Sequence, residues 1–555
     1  MSNNTRNSSA SPLVVENSGR WLGNDGSWST FYVHAGTPPQ HFHVVPSTQG
    51  QTLYVPIDQD CRRLNVTNCG GTRGVEVFAQ RPSDGFQKNE SSTWNELGIY
   101  RVGLDTNLGF TGNGYFGYDT VGTGTAGSTD TPVLEHQAIS AYATPDLWLG
   151  QLGLSQFALN MSETDQPHSF LSSLKEQGSI PSLSFGYNAG APYRFTRIAG
   201  SLTLGGYDRS RISNGTNDTL QIPGGDDLVV GLQSITTDLG NGTTSTLLDS
   251  GVLSVIDSGV AELWLPREAC DRFASAFNLT YFEPADRYAL TDEAHIQLQS
   301  LAPTISITIG TSVKDGDSIT IDLPYAAFDV QASYPIFATP TNYFPIRRAA
   351  NDSQYSVGRV FLQETYLTVD WERHTLHISR AHFSSPMPDA DIVAIPPDDV
   401  PIPTPAPKPS KKLSAGAIAG IAIGGLLLTL LICAVVWLFK FRKRPKADGE
   451  SDTAYTDDKK RSPEDDAPEA IKEDATVVTE EPPMSPIAEL SASQAAMNHP
   501  STQEPERPDS QLAELSAPHG QSEMGRAQTV RASQTMEPHE VEGTSPIYEL
   551  PALVR

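Results

Sequence analysis

The sequence predicts a β-rich domain made of two related lobes, and three observations support this expectation. Apolar and polar residues alternate in short runs, such as 201–206 and 306–310, as they do in half-buried strands. Only two segments, 170–177 and 266–277, have a convincing helical pattern. The third observation is an internal repeat, which suggests that each lobe supplies one turn to a shared centre.

The repeat aligns residues 257–266 with residues 47–56 without a gap. The copies end in the similar sequences Leu-Trp-Leu-Pro and Leu-Tyr-Val-Pro, each directly after a polar turn. At the expected centre the second copy offers the carboxylate of Asp257, whereas the first offers the hydroxyl of Ser47. This asymmetry bears directly on the chemistry that the two turns can perform.

Length and charge limit the classes of function. A chain of 555 residues has room for two to four domains. Its net charge of -27 excludes a basic face for nucleic acid, so we expect no nucleic-acid partner. The 12 histidines show no ligand spacing, and we predict neither a metal nor another cofactor.

A long apolar run at 413–439 predicts a transmembrane helix. At about 1.5 Å per residue the run exceeds the roughly 30 Å hydrocarbon core of a bilayer. More Lys and Arg follow the run than precede it, which favours a cytoplasmic C-terminus. Within it Gly416, Gly420 and Gly424 form two G-x-x-x-G steps that would suit a homodimer, although glycine is also common in such helices.

The glycosylation sequons agree with this orientation. All ten precede the apolar run: Asn3, Asn7, Asn65, Asn89, Asn160, Asn214, Asn217, Asn241, Asn278 and Asn351. We therefore expect a single-pass type I protein, most simply of the plasma membrane, with the vacuole as the alternative. Residues 1–21 contain no apolar leader, so we expect an upstream exon to encode one; the alternative is that the helix acts as a reverse anchor.

The flanks of the predicted helix have distinct compositions. Residues 386–412 are rich in proline and predict an extended stalk. Residues 440–555 are acidic and poor in large apolar side chains, which predicts a disordered cytoplasmic tail with unknown partners.

The domain before the stalk resembles the pepsin-type aspartic protease family (peptidase A1), in particular its membrane-anchored fungal branch. The resemblance covers about residues 28–385 and rests on five fragments in the family's order: 28–40, 91–94, 117–121, 200–208 and 357–362. It implies an all-β, bilobal pepsin-like fold, with an N-terminal lobe at 20–205 and a C-terminal lobe at 206–385. It also implies that Thr48, Ser258 and Gly259 lie at the cleft between the lobes.

The same resemblance implies a defect in catalysis. The family uses two aspartates that share a proton across one water, because two close carboxylates cannot both ionise. Asp257 fits one of these positions, but Ser47 occupies the other, and a hydroxyl without a base cannot take a proton from water. Further departures from the family pattern are Gln49 for a glycine, Val260 for Ser or Thr, Arg359 for an aspartate, and no tyrosine near Asn107 in the flap.

No other acid is an evident replacement for the missing aspartate. Asp249 lacks the following strand of the repeat, so we expect it at a loop or strand edge, and we expect Asp58 and Asp60 to face solvent. Asp257 itself has a purely structural alternative, as a turn residue that binds its own backbone. A second carboxyl group within bonding distance of Asp257 across the groove would contradict the hypothesis of lost catalysis.

The cysteines permit one disulfide in the predicted ectodomain. Cys61 and Cys69 flank a short loop, where a disulfide is the default outside the cell. Cys270 has no such partner, so we expect a buried thiol, with an intermolecular bridge as the alternative.

Three hypotheses of function follow. The first is a surface glycoprotein that binds a peptide or cell-wall ligand in an inactive cleft, with a tail that recruits partners. The second is an active aspartic endopeptidase that uses Asp257 and an unrecognised second acid. The third is a structural or adhesion protein of the cell wall in which the cleft is irrelevant.

Overall fold

Short strands make up most of the ordered chain in the computed structural model. It describes residues 10–64, 66–125, 131–161, 166–215, 217–225, 227–240, 242–399, 428 and 430–437. Residues 10–399 belong to one compact unit.

The strands are numbered along the chain. Those of the first half are β1 Leu13–Val14, β2 Asn17–Leu22, β3 Trp28–Ala35, β4 Gln40–Ser47, β5 Leu53–Pro56, β6 Asn95–Arg101, β7 Asn113–Thr123, β8 Val133–Ala143, β9 Gly150–Gly153, β10 Ser184–Asn188, β11 Ser201–Leu204 and β12 Gly206–Asp208. Those of the second half are β13 Thr219–Pro223, β14 Val229–Asp238, β15 Thr244–Leu248, β16 Val252–Ile256, β17 Leu263–Leu265, β18 Thr280–Phe282, β19 Arg287–Ala289, β20 Thr304–Gly310, β21 Ser318–Pro324, β22 Val330–Ala332, β23 Thr341–Phe344, β24 Ile346–Arg348, β25 Ser356–Val357, β26 Thr365–Asp370, β27 Thr375–Arg380 and β28 Ile392–Ala394.

The helices are few and short. They are α1 Asp58–Leu64, α2 Cys69–Thr72, α3 Phe170–Glu176, α4 Arg267–Phe277, α5 Asp292–Leu301, α6 Tyr325–Phe328 and α7 Arg359–Leu362. The two helices expected from sequence, α3 and α4, are confirmed. The expectation omitted α5, although Thr291 caps it by accepting a hydrogen bond from the N–H of Ala294.

Three sheets define the architecture. The first-lobe sheet has the order β2-β3-β4-β9-β5-β8-β7-β6, and an additional pairing joins β3 to β7. The second-lobe sheet has the order β21-β20-β14-β16-β25-β17-β24, with β15 attached to β14. A six-stranded sheet, β1-β11-β10-β26-β27-β13, takes strands from both halves of the chain. The described residues therefore form a largely β architecture that is consistent with the pepsin-like fold.

The internal repeat has the same pairing pattern in both lobes. In the first lobe β4 runs parallel to β9, and β5 pairs antiparallel with β9 and parallel with β8. In the second lobe β16 runs parallel to β25, and β17 pairs antiparallel with β25 and parallel with β24. Both polar turns therefore leave equivalent central strands, which brings them to the middle of the molecule.

The disulfide and the buried thiol were predicted correctly. Cys61 and Cys69 are bonded, with an S–S distance of 2.01 Å and their Cα atoms 5.6 Å apart. Cys270 lies on the buried face of α4, and burial raises the pKa of its thiol to about 12.

Asp60 was predicted wrongly to face solvent. Its carboxylate is buried and accepts hydrogen bonds from Arg73 at 2.6 Å and Arg63 at 2.7 Å. Arg73 is itself fully buried and donates to three main-chain carbonyls of residues 144–148. The buried guanidinium needs a counter-charge, and Asp60 supplies it.

Several predictions concern parts of the chain that are described only partly or not at all. Among the described residues, no helix has both the length and the apolar character needed to cross a bilayer. Of the expected helix at 413–439, only residues 428 and 430–437 are described, and they are helical. The G-x-x-x-G glycines, the tail, residues 400–412 of the stalk, and the sequons at Asn3, Asn7, Asn65 and Asn241 lie outside the described residues.

The remaining sequons can be examined for accessibility. Five of these asparagines are exposed, namely Asn89, Asn214, Asn217, Asn278 and Asn351, whereas Asn160 is half-buried. Their glycosylation stays a prediction.

Candidate active site

The two turns of the repeat meet and bind each other. The N–H of Thr48 donates to Ser258 Oγ at 2.9 Å, and the N–H of Ser258 donates to Thr48 Oγ1 at 3.1 Å. Each hydroxyl then donates to a carbonyl of the opposite lobe, Thr48 to Ile256 and Ser258 to Pro46, both at 2.9 Å. Because both side chains are buried and these bonds use their hydroxyls, they fix the turns in place and do not face a ligand.

We call these four hydrogen bonds between Thr48 and Ser258 and the opposite lobes the interlock. Ser47 and Asp257 occupy equivalent places beside it. Asp257 Oδ1 accepts the N–H of Gly259 at 2.8 Å, and Ser47 Oγ accepts the N–H of Gly50 at 3.0 Å. Gln49, which replaces a glycine of the family pattern, is not among the described residues with positive φ, so its side chain requires no unusual backbone conformation. The first turn keeps its shape without an acid.

Asp257 nevertheless has a carboxyl neighbour, which is Asp105. The two carboxyl groups lie close enough to shift each other's pKa, and the exposed fractions of Asp257 and Asp105 are only 3 % and 4 %, respectively. Asp257 Oδ1, Gln151 Oε1 and Asp105 Oδ2 lie 3.0, 3.1 and 3.3 Å from the point that a Cβ on Gly259 would occupy. The expectation that no second acid approaches Asp257 is therefore wrong.

Asp105 comes from the loop between β6 and β7, residues 102–112, which we call the covering loop. It adopts a left-handed conformation, with φ of 51°, directly before a 3-10 turn at Thr106–Leu108. Aspartate tolerates this conformation better than most residues. The family resemblance directs attention to a tyrosine near Asn107 in this loop. No sequence pattern marks the acid two positions earlier.

The proton of the carboxyl pair belongs to Asp105. Burial raises the pKa of Asp105 well above its usual range, and the charge and hydrogen bond of Asp257 raise it further. Burial also raises the pKa of Asp257, but the Gly259 N–H and the hydrogen bond from Asp105 act in the opposite direction. Asp105 is thus the member of the pair that holds a proton more firmly.

Arg359 lies beneath the pair and is buried. Its Nη1 donates to the carbonyls of Ser258 and Gly259 at 3.0 and 2.7 Å, and its Nη2 donates to Asp25 at 2.9 Å. Its positive charge lowers the pKa of both Asp105 and Asp257. The residue that departs from the family pattern therefore supports the acidic turn and offsets the cost of burying its charge.

Further contacts hold the covering loop down on the second lobe. Asn107 Nδ2 donates to the carbonyl of Ser353 at 2.9 Å, and Gln354 Nε2 donates to the carbonyl of Asn107. Leu108 packs in an apolar cluster with Val260 and Trp264. The loop is thus closed over Asp257 by polar, apolar and carboxyl contacts together.

A cavity of about 310 Å³ opens beside the carboxyl pair, between the two lobes. Its walls include Gln151, Gly259, Trp148 and several charged residues. Most of those charges are paired within the protein, for example Glu262 with Arg287 at 2.7 Å, whereas Asp146 accepts hydrogen bonds from Thr111. The volume is at the lower end of the range for small-molecule and peptide side-chain sites.

Other candidate residues lie outside this centre. Asp249 is exposed and pairs with Arg272 at 2.8 Å, as expected for an acid at a strand edge. In the part of the chain that the structure describes, no three His, Cys, Asp or Glu side chains come together in a way that could hold a metal ion.

Comparisons with known proteins agree with this geometry. No curated protein matches the chain. A sequence model of the eukaryotic aspartyl protease family matches residues 30–381, which include both turns, the covering loop and α7. With its paired lobes and central acidic turn, the chain belongs to the eukaryotic aspartyl protease family.

Proposed function

We propose that this protein is a membrane-anchored surface glycoprotein whose pepsin-like cleft binds a peptide or cell-wall ligand without hydrolysing it. The carboxyl pair meets the condition that was set against lost catalysis, so the proposal depends on where the second acid comes from. Asp105 belongs to the loop that covers Asp257, and not to the turn that faces it.

In this arrangement a peptide cannot reach Asp257 while Asp105 stays paired with it. Both carboxyl groups are buried and bonded to each other, so a peptide that reaches Asp257 must first lift the covering loop. Lifting the loop removes Asp105 from its place beside Asp257. The group that remains fixed across the interlock is Ser47, whose hydroxyl cannot act as the second acid or base at acidic or neutral pH.

The remaining parts of the proposal rest on the sequence. The apolar run at 413–439, the excess of basic residues after it and the sequons before it support a type I anchor in the plasma membrane. The cavity beside Gly259 supports a binding role, because it is open between the lobes and offers both polar and apolar walls.

The test is an assay of the purified full-length chain on denatured protein at pH 3–6, with and without a transition-state peptide inhibitor. We expect no inhibitor-sensitive cleavage, while calorimetry detects binding of the same inhibitor. Gly259→Val should abolish the binding, because even a Cβ there would lie 3.0 Å from Asp257 Oδ1. Inhibitor-sensitive cleavage that disappears in Asp257→Ala would refute the proposal, and unchanged binding in Gly259→Val would leave the wall-protein hypothesis.

An acid endopeptidase is the second candidate function, and the carboxyl pair is the observation that favours it. One protonated and one ionised carboxyl group is the state that acid proteolysis requires. In that case Asp105 would act from the covering loop above a bound peptide. Cleavage would then disappear in Asp105→Asn as completely as in Asp257→Asn, whereas Asp249→Asn, a change to an exposed aspartate, would leave it unchanged.

A further inference from the structure

The contacts of the covering loop have a consequence for how the cleft opens. Asp105 reaches the centre only when the loop is closed, and it is the protonated member of the pair. A carboxyl group that lifts away into solvent returns to its ordinary pKa of 3.8. The closed loop therefore holds a proton that the open loop releases over a range of pH.

We propose that residues 102–112 form a proton-dependent latch: the buried pair of Asp105 and Asp257, whose Oδ2 and Oδ1 atoms lie 3.3 and 3.0 Å from the same point beside Gly259, closes the cleft in acid and releases it as the pH rises. The inference goes beyond the proposed binding function and does not depend on it. It concerns the protein without a ligand, and it holds equally whether the open cleft then binds or cleaves its ligand.

The surroundings of the pair determine the sign of this dependence. Asp257 faces Asp105 from the turn after β16, and its negative charge opposes ionisation of Asp105. Arg359 from α7 partly offsets that repulsion, but it is already bound to Asp25 and to two carbonyls. From β5 the titratable group near Asp105 is the hydroxyl of Tyr54. Burial raises the pKa of this hydroxyl and so keeps it neutral. Loss of the proton thus leaves two buried carboxylates in contact, which favours opening.

The other contacts of the covering loop hold it on the second lobe. The bonds of Asn107 with Ser353 and Gln354 lie at its exposed outer edge, where water can replace them. Leu108 contributes apolar contact with Val260 and Trp264. These contacts do not titrate, so they set the strength of closure while the carboxyl pair sets its pH dependence. By linkage, the closing equilibrium is constant below about pH 3.8 and falls about tenfold per pH unit above it, up to the raised pKa of Asp105.

Hydrogen exchange of the full-length protein tests the latch. The N–H groups of Leu108 and Phe110, which bond to the carbonyl of Asp105 inside the closed loop, report its opening. Their protection, corrected for the intrinsic exchange rate, should fall about tenfold per pH unit above about pH 4 in the wild type. Asp105→Asn keeps a hydrogen-bond donor to Asp257 but cannot titrate, so its protection should not change with pH. Asp105→Ala should show a lower protection that does not change with pH.

Asp249→Asn is the matched control, because it removes an exposed carboxylate in the second lobe and should retain the wild-type profile. Protection of α4 confirms that each variant is folded. If Asp105→Asn does not fold, Asp257→Asn replaces it: burial still raises the pKa of Asp105 there, but without the charge of Asp257 the fall in protection should end at a lower pH than in the wild type. A flat wild-type profile, a profile in Asp105→Asn that follows the wild type, or normal protection in Asp105→Ala would each overturn the proposal.

Discussion

The buried charge of Arg73 in the first lobe depends on one acidic partner. Arg73 is fully buried, and its guanidinium lies 5.4 and 5.3 Å from the ring centroids of Tyr142 and Trp148. Its charge is balanced by Asp60, which is buried equally well. Removal of Asp60 would leave the charge of Arg73 uncompensated in the interior, and removal of Arg73 would leave the buried Asp60 with only the exposed Arg63.

Arg73→Ala should therefore lower the free energy of unfolding by about 3–5 kcal/mol. Arg63→Ala is the matched control, since Arg63 binds the same carboxylate but is 64 % exposed, and it should cost no more than about 1 kcal/mol. Urea unfolding measures both values. Equal losses in the two variants would show that the burial of Arg73 does not determine its contribution.

At the scale of elements, the interlock between the two turns fixes the centre of the molecule. Its four hydrogen bonds connect residues from different lobes and are all buried. Because each hydroxyl serves once as acceptor and once as donor, removing either leaves a buried N–H of the other lobe without its partner and takes one donor from a carbonyl there.

Thr48→Val preserves the shape of the side chain and should lower the free energy of unfolding by about 1–3 kcal/mol. Thr339→Val, an exposed threonine, should have little effect. Ser258→Ala in the Thr48→Val background should cost less than it does alone, with a coupling of about 0.5–3 kcal/mol. Additive losses would mean that the two hydroxyls act independently.

This element also shows what the sequence could reveal. The ungapped repeat predicted that Ser47 and Asp257 stand at equivalent turns, because the backbone pattern of each copy is local. The partner of Asp257 could not be predicted, because Asp105 reaches it through the path of a loop and not through a sequence pattern. Asp60 was missed for the same reason, since its burial depends on Arg73 and on a cluster of carbonyls that only the folded chain brings together.

At the scale of the whole molecule, two sets of buried groups make stability depend on pH in opposite directions. Burial raises the pKa values of Asp105 and Asp257, so folding favours their protonated forms and this contribution is lost as the pH rises. Burial lowers the pKa values of His34, His41 and His43, so folding favours their neutral forms. The histidine contribution is therefore complete above pH 6.5 and is lost as the pH falls below it.

The histidines lie on neighbouring strands of the first lobe. His34 and His41 are cross-strand partners with ring centroids 5.6 Å apart, and His43 Nε2 is 3.0 Å from Glu76. His41 is the central member, because its charge opposes protonation of both neighbours. The proximity of the three rings makes their protonation in the folded state mutually unfavourable.

His41→Gln should therefore reduce the loss of stability between pH 7.5 and pH 5.5. The difference stays below the limit of about 1.4 kcal/mol per pH unit for each group, because His34 and His41 remain partly open to solvent. Thermal unfolding of the variant and the wild type at both pH values measures it, and comparing the two proteins cancels the opposite contribution of Asp105 and Asp257. The exposed His168→Gln serves as the control and should show the wild-type loss. If His41→Gln shows the same loss as His168→Gln, the histidine cluster does not govern the acid side of the stability profile.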